Sequence, residues 1–460
     1  MRLTRTALVL AFLLAGAGRL LAQQTYTLDD LTGLALSNNP DILQLQSAMQ
    51  ADEGEVAGAR ASLFPTVKFS NANTYVGNPQ APYILSKGSL GTLPLVPPFP
   101  LPEQDVTVVE GGEHFQLNYS VDMQMPLFMW GRIRSNIALR KNIVEADNLK
   151  LAKQRDETRT MTVINYYSLY YLNELDSLLN KQKQVADKML GIARDSYTAG
   201  EITDAALTEK RMAIREITHA IVAADRQRET ALRNLRYLTG IPTLAIDMVS
   251  FGAVDTTLSG AKLPSEAELT DRALGINRDI RLAAVSEKVH ESRVDIARSG
   301  TLAKPDLSLD VQFGYGGPRL PFLGADWSSK DNWIANVTVA VNSTIFDGGK
   351  SGAEVATAKA QLAQAKYGRQ AAVRNVSKYI AQTLSELDSI REDISYFESR
   401  VSDMQELEKF QQHLLDLGTG SRLEYFQKRV DVFTERAQVI QQKLSYASRY
   451  FMLRDVAGSF

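Results

Sequence analysis

A chain of 460 residues that is 44% hydrophobic and 23% charged has the apolar content to build a large buried core, which excludes a disordered chain. Basic and acidic residues nearly balance, 51 against 53, so no cationic excess points to nucleic acid. There is no cysteine, which excludes disulfide stapling, a thiol nucleophile and thiolate metal ligands, and leaves packing or oligomerisation to stabilise an exported chain.

Residues 1–22 read as a secretory signal: Arg2 and Arg5, the apolar run Ala7 to Ala15, and a small-residue end at Ala22. Cleavage there removes three arginines and leaves a mature charge near −5. Without cysteine, no lipid can be attached at a mature N-terminal thiol. No later stretch of 18 apolar residues exists, so a mature chain that crosses a membrane must do so with strands.

A helix of roughly 35 residues is expected over about 28–62. An imperfectly alternating strand follows at Val67 to Tyr75, then a Pro- and Gly-rich loop over 77–112 that includes the run Leu93 to Pro102. His114 to Met125 alternates strictly. Phe115, Leu117, Tyr119, Val121, Met123 and Met125 share one face, and Gln116, Asn118, Ser120, Asp122 and Gln124 the other.

Residues 127–241 contain no proline and carry heptad spacing, from Ile164, Tyr167 and Tyr171 through Leu175, Gln182, Val185 and Met189 to Ile192. A second arm repeats it from Ile214 to Leu238. The turn between the arms falls at Ala199-Gly200-Glu201, with Thr203 as the following N-cap. The first arm, roughly 68 residues, spans about 100 Å as a helix.

The chain then repeats itself. A linker or equatorial segment at 243–263 leads to a second helix over about 265–300, opened by a Ser265/Glu268 capping box. Strands are expected at Leu307 to Tyr315 and Trp333 to Asn342, joined by a loop over 316–331. Tyr75, Tyr315, Trp327 and Trp333 lie near strand ends, as in an interfacial girdle. A second proline-free hairpin turns at Leu417-Gly418-Thr419-Gly420, with Ser421 as N-cap. Alanines 353, 356, 358, 360, 363 and 365 would let a neighbouring helix approach closely, or serve helix propensity alone.

At an offset of 218 residues Leu127-Phe128-Met129-Trp130-Gly131-Arg132 is answered by Ile345-Phe346-Asp347-Gly348-Gly349-Lys350, and Lys210-Arg211 by Lys428-Arg429. Upstream, Asn39-Pro40-Asp41-Ile42 is answered by Asn277-Arg278-Asp279-Ile280. A period this long implies duplication of a structural half, giving repeats at 23–242 and 264–460. Each clear strand has the length of a tilted transmembrane strand, with one apolar and one polar face. A soluble sheet buried against helices is the other reading of the same pattern.

The order of these parts, with the Phe-x-x-Gly-Arg/Lys entry to each hairpin, the Tyr197-x-x-Gly200 turn and Tyr237-Leu238-Thr239-Gly240-Ile241-Pro242, resembles the TolC-like outer membrane efflux protein family. The resemblance spans the mature chain. It implies a mainly α fold with a transmembrane β-barrel: four strands per protomer closing as twelve in a homotrimer, above an α-helical barrel of long coiled-coil hairpins. It further implies a passive exit duct in the outer membrane of a Gram-negative bacterium, with a long periplasmic portion. Its partners would be outer membrane lipid, a periplasmic adaptor and an inner membrane pump. The adaptor would meet the turns at Gly200, Gly418 and Gly420.

The family's acidic constriction falls at Glu424 and Gln427, of which only Glu424 keeps a charge; a capping box with Ser421 is its structural alternative. The family's tip-latching basic residue and tyrosine fall at Gly420 and Leu415, which cannot latch. Asp204 and Arg422 occupy equivalent places and could substitute. A structural periplasmic coiled coil without a channel is the alternative function. No enzyme, cofactor or metal is expected: the four histidines are scattered, and Asp347-Gly348-Gly349-Lys350 lacks the full phosphate-loop spacing.

Overall fold

The computed structural model describes residues 25–94, 97–252, 254–320 and 329–458, so the expected signal at 1–22 and the girdle residue Trp327 lie outside the described residues. The helices are α1 (Leu28–Asn38), α2 (Pro40–Ala61), α3 (Arg132–Thr198), α4 (Asp204–Thr239), α5 (Glu266–Ile276), α6 (Arg278–Ser299), α7 (Lys350–Asp416) and α8 (Arg422–Ala457). Their lengths run 11, 22, 67 and 36 residues and then 11, 22, 67 and 36 again. The strands of the main sheet are β1 (Thr66–Tyr75), β6 (Phe115–Phe128), β7 (Asp306–Gly317) and β8 (Trp333–Asn342). Short ribbons β2 (Tyr83–Leu85) with β5 (Val106–Val109), and β3 (Thr92–Leu93) with β4 (Phe99–Pro100), occupy the long loop, where the sequence promised only irregular chain. No helix among the described residues is long and apolar enough to cross a membrane.

The chain folds as two compact units, one holding residues 52–143 and 288–363 and the other holding the rest. In the first, the antiparallel sheet has the order β1-β6-β7-β8, with β1 and β8 at its edges. The alternation read along β6 continues on β7 and most of β8, while β1 breaks it at Asn71 and Asn73, which share the face of Val67 and Phe69. One register row joins Val67, Met123, Val311 and Val337, and the next row on the same face joins Phe69, Val121, Phe313 and Ala335. That face is open: Phe69 is 69% exposed and Val337 75%. The other face carries the row Lys68, Asp122, Gln312 and Asn336 and lines a polar recess of about 370 Å³. Ser120 Oγ donates to Asp122 and Ser308 Oγ to Asp310, so both carboxylates are held on that face. Toward one end of the strands, Tyr119, Tyr315 and Trp333 make an aromatic row, with the Tyr315 and Trp333 rings 5.2 Å apart.

At the other end the chain turns into the long helices. Trp130 and Gly131 take the left-handed conformation, and Trp130 Nε1 donates to the Pro305 carbonyl at 3.0 Å. In the second copy Gly348 and Gly349 do the same, while the Asp347 carboxylate accepts from the Gly349 and Ser351 amides at 2.9 and 2.8 Å. The Asp-Gly-Gly-Lys segment is thus a strand-to-helix turn with its own cap. In the alanine stripe that follows, Ala358 is buried, whereas Ala353, Ala356, Ala360 and Ala363 are exposed.

In the second unit α1 packs on α4 and α5 on α8. Leu31, Tyr166, Leu169, Leu235, Leu269, Ile380, Leu387, Tyr446 and Leu453 form one buried cluster, together with Leu244 and Val249 of the segment between the repeats. That segment is fastened: Tyr26 forms a parallel bridge with Val249, and Tyr166 Oη donates to the Ser250 carbonyl at 2.6 Å. The heptad seam of α3 is buried at Ile164, Tyr167, Tyr171, Leu175, Gln182, Val185 and Met189.

The single helices expected over 28–62 and 265–300 are each two. Asn39 and Asn277 leave the helix with extended ψ values of 120° and 128°. Their side chains then restart it, Asn39 Oδ1 accepting from Asp41 N at 2.8 Å and Asn277 Oδ1 from Asp279 N at 3.0 Å. Because Arg278 stands where the first copy has Pro40, asparagine rather than proline is the shared breaker.

The Ser265/Glu268 capping box forms as expected, and Thr27/Asp30 makes the equivalent box at α1. The backbone N–H of Ser265 donates to Glu268 and lowers its pKa below the ordinary carboxylate range. A lowered folded pKa means the cap contributes above the unfolded pKa, about 4.3, and is lost as pH falls through the folded value. Glu268→Gln should therefore speed amide exchange in the first turn of α5 at pH 7, with the gap from the parent closing as the pH is taken below about 4.

Candidate functional site at the hairpin turns

Both hairpins reverse through the same backbone device. Gly200 and Gly418 adopt φ values of 78° and 73°, the left-handed residue that ends a helix. Around them the Glu201 amide donates to Ser196 O at 2.8 Å, and the Thr419 and Gly420 amides donate to Leu414 O at 3.0 and 2.9 Å. Each following helix is capped by the expected hydroxyl: Ala206 N donates to Thr203 Oγ1 at 3.2 Å and Glu424 N to Ser421 Oγ at 3.4 Å. The two turns differ at Gly420. A Cβ there would lie 2.6 Å from Leu415 N and 2.7 Å from the Leu414 carbonyl carbon, so close backbone approach, not φ, requires glycine.

The expected pore residues separate. Glu424 is exposed on the first turn of α8, and its amide is capped by Ser421, but no reciprocal bond from its carboxylate forms, so the capping box is half made and the carboxylate stays on the surface. Gln427 is drawn inward. Its Oε1 accepts from Lys210 Nζ of α4 at 2.7 Å, and its Nε2 donates to Asp431 at 2.8 Å. Asp204 and Arg422 each lie exposed on the first turn of their helices, and among the described residues they make no ion pair with each other in the chain.

Sequence reasoning missed the link from Lys210 through Gln427 to Asp431 near the tip, and the separate buried contact of Gln182 farther along α3. Gln182 is 3% exposed, and its Nε2 donates to Thr434 Oγ1 at 2.8 Å, tying α3 to α8. A polar residue at a heptad core position was the available clue. Among the described residues no group of three or more histidine, aspartate or glutamate side chains is gathered as a metal site.

Solved structures share this arrangement. The CmeC outer membrane channel of Campylobacter jejuni superimposes with a TM-score of 0.73 at 18% identity, covering 94% of this chain and 85% of that one. The outer membrane protein VceC of Vibrio cholerae gives 0.72 at 15% identity, covering 94% and 96%. The open state of the MtrE outer membrane channel of Neisseria gonorrhoeae gives 0.67 at 16%, covering 94% and 89%. The fold is therefore that of the outer membrane channels, mainly helical with one antiparallel four-stranded sheet. The outer membrane efflux protein family model matches residues 31–241 and 269–459, one match in each copy, and the chain belongs to that family. Its members are channels. No curated protein matches the sequence.

Gly418→Ala meets open space and should cost only the left-handed backbone strain, about 1 kcal/mol. Gly420→Ala must move backbone and should cost more. Amide exchange in the last turn of α7 ranks the two, Gly420→Ala opening the faster.

Proposed function

We propose that this protein is the passive exit duct of a tripartite efflux or type I secretion system, seated in the outer membrane of a Gram-negative cell. A periplasmic adaptor would couple it to an inner membrane pump. The observation that carries the reading is the sheet, in which an apolar face is open to its surroundings while, among the described residues, β1 and β8 have no strand on their outer edges. Unpaired strand edges cannot remain in hydrocarbon, so a membrane sheet of four strands must be completed by further copies. Three copies supply twelve strands, with the row of Lys68, Asp122, Gln312 and Asn336 turned to a water-filled lumen.

The two long hairpins then supply the periplasmic duct, and their turns at Gly200, Gly418 and Gly420 are the end offered to an adaptor. Three copies of the exposed Glu424 carboxylate form the acidic ring at the tip. Gln427 does not join that ring, since Lys210 and Asp431 hold its amide. Transport is passive on this reading, the inner membrane pump supplying the work. A periplasmic coiled coil without a channel has no use for a sheet whose exposed face carries Val67, Phe69, Phe313, Val337 and Val339.

Amine cross-linking of the detergent-solubilised protein should stop at three chains, with a mostly helical far-ultraviolet spectrum. A stable monomer in detergent-free buffer would overturn both the barrel and the duct.

Glu424→Ala should weaken the block of single-channel conductance by multivalent cations, since a ring of carboxylates near the axis attracts them. If Glu424 only supports the helix start, block is unchanged and the first turn of α8 loses about 0.5–2 kcal/mol.

A further inference from the structure

The two copies match in length yet differ in burial near their turns. On α3, Val185, Ala186 and Met189 are 8%, 0% and 0% exposed, clustered with Val430 of α8 and flanked by Leu423 and Phe426. The α7 residues 218 positions on are Asp403, Met404 and Leu407, none of them buried, and Leu407 is 42% exposed. On the receiving side Val430 is 5% exposed, whereas its counterpart on α4, Met212, is 52% exposed. The seat that α4 and α8 provide for α3 thus has a second half-built version, with one wall on α8 and α7 and the other on α4, and this chain leaves it open.

The polar contacts that fasten the filled seat predict what fills the open one. Gln182 donates to Thr434 at 2.8 Å, and the equivalent residues are Arg400 on α7 and Glu216 on α4. Lys210 donates to Gln427 at 2.7 Å, and the equivalents are Lys428 on α8 and Glu209 on α4. Both contacts become pairs of opposite charge. Glu209 and Glu216 are exposed and have no ion pair within the chain among the described residues. Arg400 already holds Glu435 at 2.6 Å, and Lys428 lies 3.4 Å from Asp431, so each cation would sit between two carboxylates.

We propose that the open face of α7 near its turn is covered by α4 of a second copy of this chain, Leu407 packing on the partner's Met212. Arg400 meets the partner's Glu216 and Lys428 the partner's Glu209. The seam between copies is then ionic where the seam within a copy is held by neutral acceptors. This rests on the oligomeric reading of the preceding section and adds to it which faces meet. Charge complementarity at both pairs, and the matched exposure of Leu407 and Met212, favour a second copy over a foreign helix as the occupant.

The absence of native cysteine makes the test direct. Met212→Cys/Leu407→Cys, treated with a short thiol-specific cross-linker, should run as covalently linked trimer, while either single variant gives no linked product. Gln182→Cys/Thr434→Cys should link within one chain and keep monomer mobility. Amine cross-linking run in parallel separates the two readings. A trimer by amine chemistry without the thiol product overturns the assigned seam and leaves the duct standing; no trimer by either route overturns both. At low salt Glu209→Lys/Glu216→Lys, added to the linking variant, should lower the trimer product several-fold, and an undiminished yield rejects the ionic pairs.

Discussion

The outer edges of one sheet, on β1 and β8, carry backbone N–H and C=O groups that no other strand among the described residues meets. A sheet can leave such edges to water, but here one of its faces carries an apolar band of valine, phenylalanine and methionine, from Val67 and Phe69 across to Val337. Apolar surface that large calls for burial, and burial in lipid forbids open edges. The alternation along the strands, the duplication that supplies strands in pairs and the proposed assembly of copies all answer to that constraint.

Duplication solves the helical part in the same economical way. Each copy presents a hairpin of equal length, and within one chain the first arm of the first hairpin finds a finished seat, closed by Met189, Val430 and the Gln182–Thr434 bond. The first arm of the second hairpin finds the matching positions occupied by exposed apolar and charged groups. The copies have therefore diverged in sequence where their surroundings differ. A neutral hydrogen bond suits a contact made once during folding of a chain, whereas charge fixes register between separate chains at little cost in affinity for itself.

At the turns the same economy leaves little for latching. Gly200 and Gly418 answer the backbone, Gly420 answers the close approach of Leu414 and Leu415, and Thr203 and Ser421 answer the first amides of the next helices. Of the polar groups nearby, Lys210 and Asp431 are engaged through the neutral amide of Gln427, which leaves Glu424, Asp204 and Arg422 as charged side chains presented outward.

The sequence by itself determined the repeat, the four main strands and their two faces, both hairpins and their turn residues, because these follow from local rules: period, proline exclusion, glycine at left-handed positions and hydroxyl caps. It misplaced the continuity of the short helices, since Asn39 and Asn277 break them through side-chain bonds to the following amides that a helical period does not register. It also gave no sign of the ribbons β2/β5 and β3/β4 within a Pro- and Gly-rich loop. Only the tertiary structure decided which acidic and amide groups at the tip are free. Gln427 is held because Lys210, more than 200 residues away in the chain, comes within 2.7 Å of it, whereas the carboxylate of Glu424, three residues earlier on the same helix, stays at the surface. Spacing along one helix fixes which face a residue occupies, but what stands opposite that face is set by packing between helices distant in sequence.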